Sequence, residues 1–321
     1  MYICVLASPP DDPDVPYDPS SYLMTHRWEQ PELLPYNLDR QIKTLAAKNF
    51  DIFFNLCDGT PDDDLPGIGL VQTLEKLGLA FTGADSRFFD PTRAEMKAAA
   101  KAAGVPAPGS VFADDVRGIA RAAKTLHFPL IVKPPHGFSS YGLSRDSRVT
   151  NTESLEMRAM RAIREFGKVL IEEFIDGREF TALVAEDPDD PGHPVAFQSV
   201  EFIFPPDESF KHYDIKWKDY ERMRVVPTAD PEVDKRLRDL TTRLFLAMRG
   251  NGYARCDFRM DRAGNLYMLE INPNCGVLYS PSEPGSADWI LMSDPRGHAG
   301  FLDLIFRGAL KRKKTENTLR F

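Results

Sequence analysis

The stretch "YARCDFRMDRAGNLYMLEINPNCG", residues 253–276, alternates apolar and polar side chains on both sides of a short link that contains a glycine. Alternation with a period of two predicts half-buried strands, and the link "RAGN" predicts a hairpin turn over 262–265. In that register Asp261 pairs with Leu266. The pairs on one face are then apolar: Cys256 with Ile271, Phe258 with Leu269 and Met260 with Tyr267.

The opposite face of this hairpin carries polar residues, with Asp257 across from Glu270 and Arg255 across from Asn272. Two carboxylates that face each other across paired strands repel one another. A cation between them removes the repulsion, and two carboxylates with an amide are oxygen ligands that suit a hard ion such as Mg²⁺. The alternative is a solvated face on which Arg255 neutralises one acid. The irregular loop after "EIN" contains a glycine and favours the metal site.

The composition is that of a globular protein large enough for two or three subdomains, with 321 residues, 42% hydrophobic and 27% charged. A formal net charge of -8 argues against a general nucleic-acid-binding protein. The four cysteines are widely spaced, which indicates neither a zinc site nor a disulfide framework. No apolar run reaches membrane-spanning length and the N-terminus lacks a signal-peptide pattern. We therefore expect a cytoplasmic protein with no nucleic-acid or membrane partner.

Strand and helix patterns alternate over roughly the first 90 residues, which predicts a small parallel α/β unit. Its predicted elements are the strand "YICVLA", a Pro- and Asp-rich loop through Pro35, a helix near 38–48, the strand "DIFFNLC" and a helix near 69–77. Later patterns predict a helix in "TRAEMKAAAKAAG", a strand in "FPLIVKP", two strands around a turn in "VLIEEFIDGREFTALVAE", a polar loop over 207–225, and helices over 231–248 and 301–311. The fold class is therefore α/β.

Lys133 ends the apolar strand "PLIVK" and must find an anion there, because an unpaired buried ammonium is costly. A structural salt bridge and a bound phosphate both satisfy this requirement. The next segment, "HGFSSYG", favours phosphate because its glycines and serines can present backbone amides and hydroxyls. It is neither a Walker loop nor a GxGxxG motif.

The segment "LIEEFIDGREF" places Glu172 and Glu173 in a strand and Glu179 just beyond a turn. A strand edge offers a purine both a donor and an acceptor, and a carboxylate beyond the turn can accept hydrogen bonds from ribose hydroxyls. The alternative is an exposed acidic hairpin.

Taken in chain order, these segments resemble the ATP-grasp superfamily and, within it, the D-alanine–D-alanine ligase branch. The resemblance runs from about Asp51 to Pro281 and is carried by "GIGLVQTLEKLGLAFTG", "FPLIVKPPHGFSSYG" and "DFRMDRAGNLYMLEINPNCG". It implies the α+β ATP-grasp fold, with an N-terminal parallel α/β subdomain over 1–91. A central subdomain over 92–177 and a C-terminal subdomain over 178–321 would then clamp ATP.

The resemblance also implies a role for each matched position. ATP contacts fall to Arg93, Lys133, Ser139, Ser140, Glu172, Glu173, Ile175, Glu179, Lys216 and Trp217, of which Ser139 and Lys216 are also catalytic. Asp257, Glu270 and Asn272 would hold Mg²⁺, with two ions expected and Mn²⁺ as an alternative. Arg255 and the Gly276 amide would stabilise the oxyanion, and Arg255, Tyr279, Ser280 and Ser282 would bind the second substrate.

The implied function is an ATP-dependent carboxylate–amine ligase that forms an amide through an acylphosphate and releases ADP and phosphate. Its partners would be a small carboxylate and an amino acid, and we expect a homodimer. A small-molecule kinase and a non-catalytic nucleotide-binding regulator are the alternatives. The chain departs from the family in two places. The acid that grips the first substrate's amino group has no clear match in "ASPPDDPDVPYDP", and Asn-Cys-Gly stands where the family usually has Pro-Gly after the Asn. D-alanine specificity therefore does not follow from the resemblance.

Overall fold

The computed structural model describes residues 1–7, 17–57, 65–135 and 142–319, with the side chains of 216–217 and 314–319 excepted. The first part of the chain forms a parallel sheet in the order β2-β1-β3. Its elements are β1 (Tyr2–Ala7), β2 (Arg27–Glu29), α1 (Leu38–Ala46), β3 (Ile52–Leu56) and α2 (Gly67–Lys76). The predicted parallel α/β unit is confirmed.

One strand of this sheet was not expected, because β2 lies in the segment predicted as a loop. It pairs with β1 over only three residues, from Arg27 to Glu29, and none of them is fully buried. A strand this short and this exposed has no hydrophobic alternation that a sequence pattern could reveal.

A connecting helix, α3 (Arg93–Ala102), leads to a second sheet, which is antiparallel and has the order β4-β7-β5-β6. Thr92 and Glu95 form a capping box at the start of α3, and Gly104 follows its end with φ at +63°. The elements of this layer are β4 (Ser110–Ala113), α4 (Val116–Thr125), β5 (Leu130–Lys133), β6 (Arg148–Val149), α5 (Thr152–Phe166) and β7 (Val169–Glu173).

The third sheet is antiparallel, with the order β11-β10-β8-β12-β13 and β9 on the side of β8. Its elements are β8 (Gly177–Ala185), β9 (Val195–Ala196), β10 (Val200–Ile203), α6 (Tyr213–Trp217), β11 (Arg224–Pro227), α7 (Pro231–Ala247), β12 (Tyr253–Asp261), β13 (Leu266–Pro273), α8 (Ser286–Ser293) and α9 (Gly297–Leu319). No helix in the described ranges is long and apolar enough to cross a membrane.

The strands β7 and β8 form no hairpin with each other, although a turn between them was predicted. Strand β7 pairs with β4 and β5 in the second sheet, whereas β8 pairs with β10 and β12 in the third. The three residues 174–176 therefore carry the chain from one sheet to the next. Glu172 and Glu179 consequently lie on two different walls of one cleft.

The β12–β13 hairpin confirms the predicted opposition of Asp257 to Glu270 and of Arg255 to Asn272. Beyond Asp257 the register shifts by one residue at a β-bulge. Leu269 is the extra residue. It lines the cleft instead of facing Phe258 in the core.

Toward its turn the hairpin therefore differs from the predicted register, and Phe258 pairs with Met268 and Met260 with Leu266. The turn differs from the predicted one, because the Asp261 N–H donates to the Asn265 carbonyl at 3.0 Å. The Asp261 carboxylate also accepts hydrogen bonds from the backbone amides of Ala263 and Asn265. This turn shifts the register one way and the bulge shifts it back. The two effects cancel before the strands reach the acids.

Two of the three main apolar clusters are shared between the first and third sheets. Phe53 and Leu70 pack in one cluster with Phe180 and Phe245. The other face of the first sheet contributes to a second cluster, with Ile3, Phe54, Tyr253, Phe301 and Phe306. A separate cluster fills the second sheet and its helices α4 and α5.

Candidate active site

A cleft lies between the second and third sheets, with charged side chains on both walls. The second sheet contributes Ile131, Lys133 and Glu172, and the third contributes Glu179, Arg255, Asp257, Arg259 and Glu270. Arg93 reaches the cleft from α3. Strand alternation explains the third-sheet wall, because Arg255, Asp257 and Arg259 are two residues apart and share one face of β12.

The three predicted metal ligands are brought together on this wall. The Asn272 amide nitrogen lies 3.4 Å from Asp257 Oδ2 and 3.3 Å from Glu270 Oε1. Thr181 on β8 donates its hydroxyl proton to Asp257 Oδ1 at 2.6 Å. The bulge and the neighbouring strand thus hold two carboxylates and an amide at one point.

Each acid of this group has its own arginine. Arg255 donates to both oxygens of Asp257, from Nε and from Nη2, at 3.0 Å each. Arg93 donates from Nη1 to Glu270 Oε2 at 3.1 Å. Burial alone would raise the pKa of Asp257, but Arg255 and Lys211 outweigh burial and hold that pKa below its usual value. Asp257 is therefore kept in the ionised form, which binds cations.

The donor set fits a hard divalent ion. The described residues contain no cluster of three or more His, Cys, Asp or Glu side chains that could hold a metal. The candidate ligands here are two carboxylates and one amide. Asn272 Oδ1 is buried and meets no donor in the described part of the chain. Turning the amide over presents this oxygen to the carboxylates, which is favourable only when a cation lies between the three groups. Asp257, Glu270 and Asn272 can therefore hold Mg²⁺.

Lys133 finds its anion within the protein. Its Nζ lies 2.7 Å from Glu172 Oε2, and Lys97 pairs with the other oxygen of the same carboxylate. Burial would raise the pKa of Glu172, but Lys133 and Lys97 outweigh burial and lower the pKa to about 2. The structural salt bridge is present, and a contact between Lys133 and phosphate stays a prediction.

Sequence reasoning missed Lys97, Thr181, Lys211 and Arg259. Lys97 follows Arg93 by four residues on α3, so helical spacing could have placed both on one face. Arg259 follows Asp257 by two residues, so strand alternation could have identified it. Thr181 likewise follows Glu179 by two residues on β8, and it meets Asp257 through the pairing of β8 with β12. Lys211 carries no such signal, because it reaches the cleft from a loop.

Glu173 and Ile175, which were predicted at the adenine, lie at one end of this cleft. The Glu173 carboxylate accepts hydrogen bonds from the backbone amide of His127 at 3.0 Å and lies 2.7 Å from its Nδ1. The backbone N–H of Glu173 donates to the Gly109 carbonyl. Ile175 adds an apolar side chain to the wall.

Of the predicted second-substrate residues, Arg255 lines the cleft. The other three, Tyr279, Ser280 and Ser282, occupy the loop after β13 and are absent from the described cleft wall. Tyr279 packs directly on Gly276, so that any side chain at Gly276 would collide with its ring. The Tyr279 hydroxyl donates to that of Tyr17 at 3.2 Å. Ser280 and Ser282 share a 2.8 Å hydrogen bond between their hydroxyls.

Four predicted site residues cannot be placed in full. Ser139 and Ser140 lie outside the described residues. Lys216 and Trp217 end helix α6, and their side chains also lie outside the described part of the chain.

Comparisons with known proteins agree with this fold. The family described as D-ala D-ala ligase C-terminus matches residues 110–281. A D-alanine--D-alanine ligase of Ectopseudomonas mendocina is 30% identical over 74% of this chain and 72% of its own length. D-alanine--D-alanine ligase B of Chromobacterium violaceum is 29% identical over 74% and 75%. The crystal structure of a D-alanine--D-alanine ligase from Bacillus anthracis superposes with a TM-score of 0.72 at 20% identity, covering 98% of this chain and 99% of that one.

Proposed function

Because this chain belongs to the D-alanine–D-alanine ligase family and is an ATP-dependent C–N ligase of the ATP-grasp superfamily, we propose that it joins a small carboxylate to the amine of an α-amino acid. The chain uses ATP and a divalent metal, as its family does. We propose Mg²⁺, bound as two ions, with Mn²⁺ as a substitute. The specific acid and amine are open to experiment, and D-alanine is one candidate for each.

The proposed reaction has two steps. One oxygen of the substrate carboxylate attacks the γ-phosphorus of ATP, so that ADP leaves and an acylphosphate forms. The amine nitrogen then attacks the acyl carbon, the bond from that carbon to the phosphate oxygen breaks, and phosphate leaves as the amine loses a proton. A bound divalent ion neutralises the negative charge of the phosphates.

The residues of this chain would bind, orient and shield the reactants. Lys133, with Lys97, would take phosphate oxygens, and Glu172 would lie at the adenine amino group. Arg255 would stabilise the tetrahedral oxyanion together with the Gly276 amide, a role suited to donors that are held in place. The Nη1 atom of Arg255 takes part in neither bond to Asp257 and can therefore point to a substrate.

The observation that carries this proposal is the meeting of Arg255, Asp257, Glu270 and Asn272 on one wall of the cleft. A kinase needs the carboxylates that bind the metal, but it forms no tetrahedral carbon that a cation such as Arg255 would stabilise. A regulatory nucleotide-binding protein needs neither the metal-binding carboxylates nor that cation. Arg255 beside the metal group therefore favours the ligase.

Several further features of the molecule are also proposed. The subdomains 1–91, 92–177 and 178–321 would close on ATP, with Ser139, Ser140, Lys216 and Trp217 over the phosphates. Tyr279, Ser280 and Ser282 would bind the amino acid. A cytoplasmic location and a homodimer are the arrangements that we expect.

Product analysis tests the proposed reaction. The protein is incubated with ATP, Mg²⁺ and a mixed pool of carboxylates and amino acids, and new species are identified by mass spectrometry. We expect a new amide that contains an amino acid, together with ADP and phosphate in equal amounts. The Arg255→Met variant should form much less amide. A phosphorylated alcohol, or AMP with pyrophosphate, would contradict the proposal.

A further inference from the structure

Glu179 differs from the other acids of the cleft because its carboxylate accepts no hydrogen bond from any described residue, although its side chain is only 7% exposed. Two cations lie near it. Lys211 Nζ is 3.8 Å from Oε1, and Arg259 Nη1 is 3.6 Å from Oε2. Both distances are too long for a hydrogen bond. The carboxylate thus lies between two cations and lines the cleft.

The sheet register sets this arrangement. Glu179 lies on β8 between two cross-strand neighbours, Arg259 on β12 and Phe202 on β10. Lys211 Nζ lies over the Phe202 ring at 3.2 Å from its centroid. Arg259 therefore lies beside one oxygen of Glu179 from the neighbouring strand β12, and Lys211 lies beside the other from the loop before α6, packed on Phe202 of β10.

Arg259 is held by contacts other than Glu179. Its Nη2 donates to the carbonyl oxygens of Gly177 at 2.9 Å and Ser209 at 2.8 Å. Its guanidinium lies 4.7 Å from the centroid of the Phe174 ring. These contacts link β8, the loop before α6 and the crossing between the sheets, and they stop Arg259 from closing on Glu179.

The position of Arg259 is costly in free energy. The side chain is 4% exposed, and its Nε and Nη1 are buried with no hydrogen-bond partner among the described residues. Buried N–H groups without acceptors destabilise a protein, and an apolar side chain of similar size would avoid that cost. A guanidinium retained here indicates a function that acts through its charge beside Glu179.

We propose that Arg259, assisted by Lys211, positions Glu179 as the acceptor for the two ribose hydroxyls, and that the protein thereby selects ribonucleoside over 2′-deoxyribonucleoside triphosphates. This inference rests on the proposed function, because it requires ATP in the cleft. Two neighbouring hydroxyls can donate to the two oxygens of one carboxylate. A 2′-deoxy sugar leaves one buried oxygen without a donor, and sites built to bind a hydroxyl discriminate against its absence.

The test compares binding of a non-hydrolysable ATP analogue and its 2′-deoxy counterpart by calorimetry. The wild-type protein should prefer the ribose form by about 10- to 100-fold, as expected for one lost hydrogen bond to a charged group. In Arg259→Met this ratio should fall to within about threefold. In turnover assays the variant should raise KM for ATP while kcat at saturating ATP changes less. A raised KM with a smaller change in kcat identifies Arg259 as a positioning residue.

Arg148 supplies the matched control, because its guanidinium lies 4.8 Å from the same Phe174 ring and has no contact with Glu179. Arg148→Met should keep the wild-type ratio, as packing on Phe174 alone does not place the carboxylate. Lys211→Met is the second test variant and should also lower the ratio if Arg259→Met fails to fold.

Three outcomes would overturn the inference and leave the ligase proposal standing. The first is equal affinity of the wild-type protein for both analogues. The others are an unchanged affinity ratio in folded Arg259→Met and an equal fall of that ratio in Arg148→Met. Failure of the wild-type protein to bind either analogue would contradict the ligase proposal as well.

Discussion

At the scale of single residues, the two acids proposed as metal ligands, Asp257 and Glu270, are each paired with an arginine. Glu270 is the clearest case, since its side chain is 19% exposed and contacts Arg93 and Asn272 without entering an apolar cluster. Its charge therefore matters more than its packing. A second acid–arginine pair, Glu201 with Arg178, has bonds of 2.7 and 2.6 Å and lies outside the metal group.

We predict that Glu270→Gln lowers Mg²⁺-dependent turnover by more than about 100-fold, since changes to groups that merely support metal ligands already cost about 10- to 100-fold. The free energy of unfolding should fall by only about 1–2 kcal/mol, because the glutamine oxygen can still accept a hydrogen bond from Arg93. Turnover against Mg²⁺ concentration and thermal unfolding give the two numbers.

Glu201→Gln is the control for this prediction. It removes the charge of a buried acid from a pair with a half-exposed arginine, and it should lower stability by a similar amount while the Mg²⁺ dependence stays that of the wild type. A Glu270→Gln protein with wild-type Mg²⁺ dependence would remove Glu270 from the metal site.

At the scale of elements, the segment 207–225 is more ordered than the polar loop that its sequence predicts. It contains α6, a 3₁₀ turn over Tyr220–Arg222 and the start of β11. Ile215 is fully buried and anchors α6 to the protein. Trp289 on α8 donates its indole N–H to the Tyr220 hydroxyl at 3.0 Å. Phe210 and Met223 are also buried, but neither they nor Ile215 belong to the three main apolar clusters. Elements outside the main core are typical of those that close over ligands.

We predict that adding an ATP analogue with Mg²⁺ protects the segment 207–225 from proteolysis. Closure over the phosphates would remove its backbone from the protease. Limited digestion followed by mass spectrometry measures the cleavage rate within the segment. Tyr220→Phe removes the acceptor for the Trp289 N–H, so the variant should be cleaved faster without ligand and still be protected with it. Cleavage at one rate with and without ligand would show that the segment is no lid.

At the scale of the whole molecule, the distribution of apolar clusters predicts which parts unfold together. The first and third sheets share two clusters, whereas the second sheet and its helices have one of their own. Helix α3 packs with the shared clusters through Met96 and Ala100. Residues 110–173 should therefore form one cooperative unit, and the first and third sheets should form another.

We predict that Leu130→Ala and Leu183→Ala destabilise different parts of the chain. Both leucines are fully buried, and each substitution should cost about 2–5 kcal/mol. Leu130→Ala should speed hydrogen exchange within 110–173 alone. Leu183→Ala should speed it in the first and third sheets together, because their packing is shared. Faster exchange over the entire chain in both variants would contradict two separate units.

The sequence by itself determined the features that depend on local periodicity. Alternation placed Asp257 opposite Glu270 and Arg255 opposite Asn272, and buried runs located β1, β3 and β5. The faces were predicted correctly because strand geometry assigns alternate residues to opposite faces whatever lies beyond the strand. The cross-strand pairs at the acids were correct because the β-bulge offsets the register change at the turn. The motif order then indicated the superfamily.

Only the tertiary structure decided which distant groups meet. Strands β7 and β8 belong to different sheets. Lys97 and Lys133 pair with Glu172, and Lys211 and Arg259 lie on either side of Glu179. No local pattern encodes these contacts, because the partner of a buried charge is set by strand order and by the geometry of the cleft. Periodicity determines the face on which a residue lies, and long-range packing determines what that face meets.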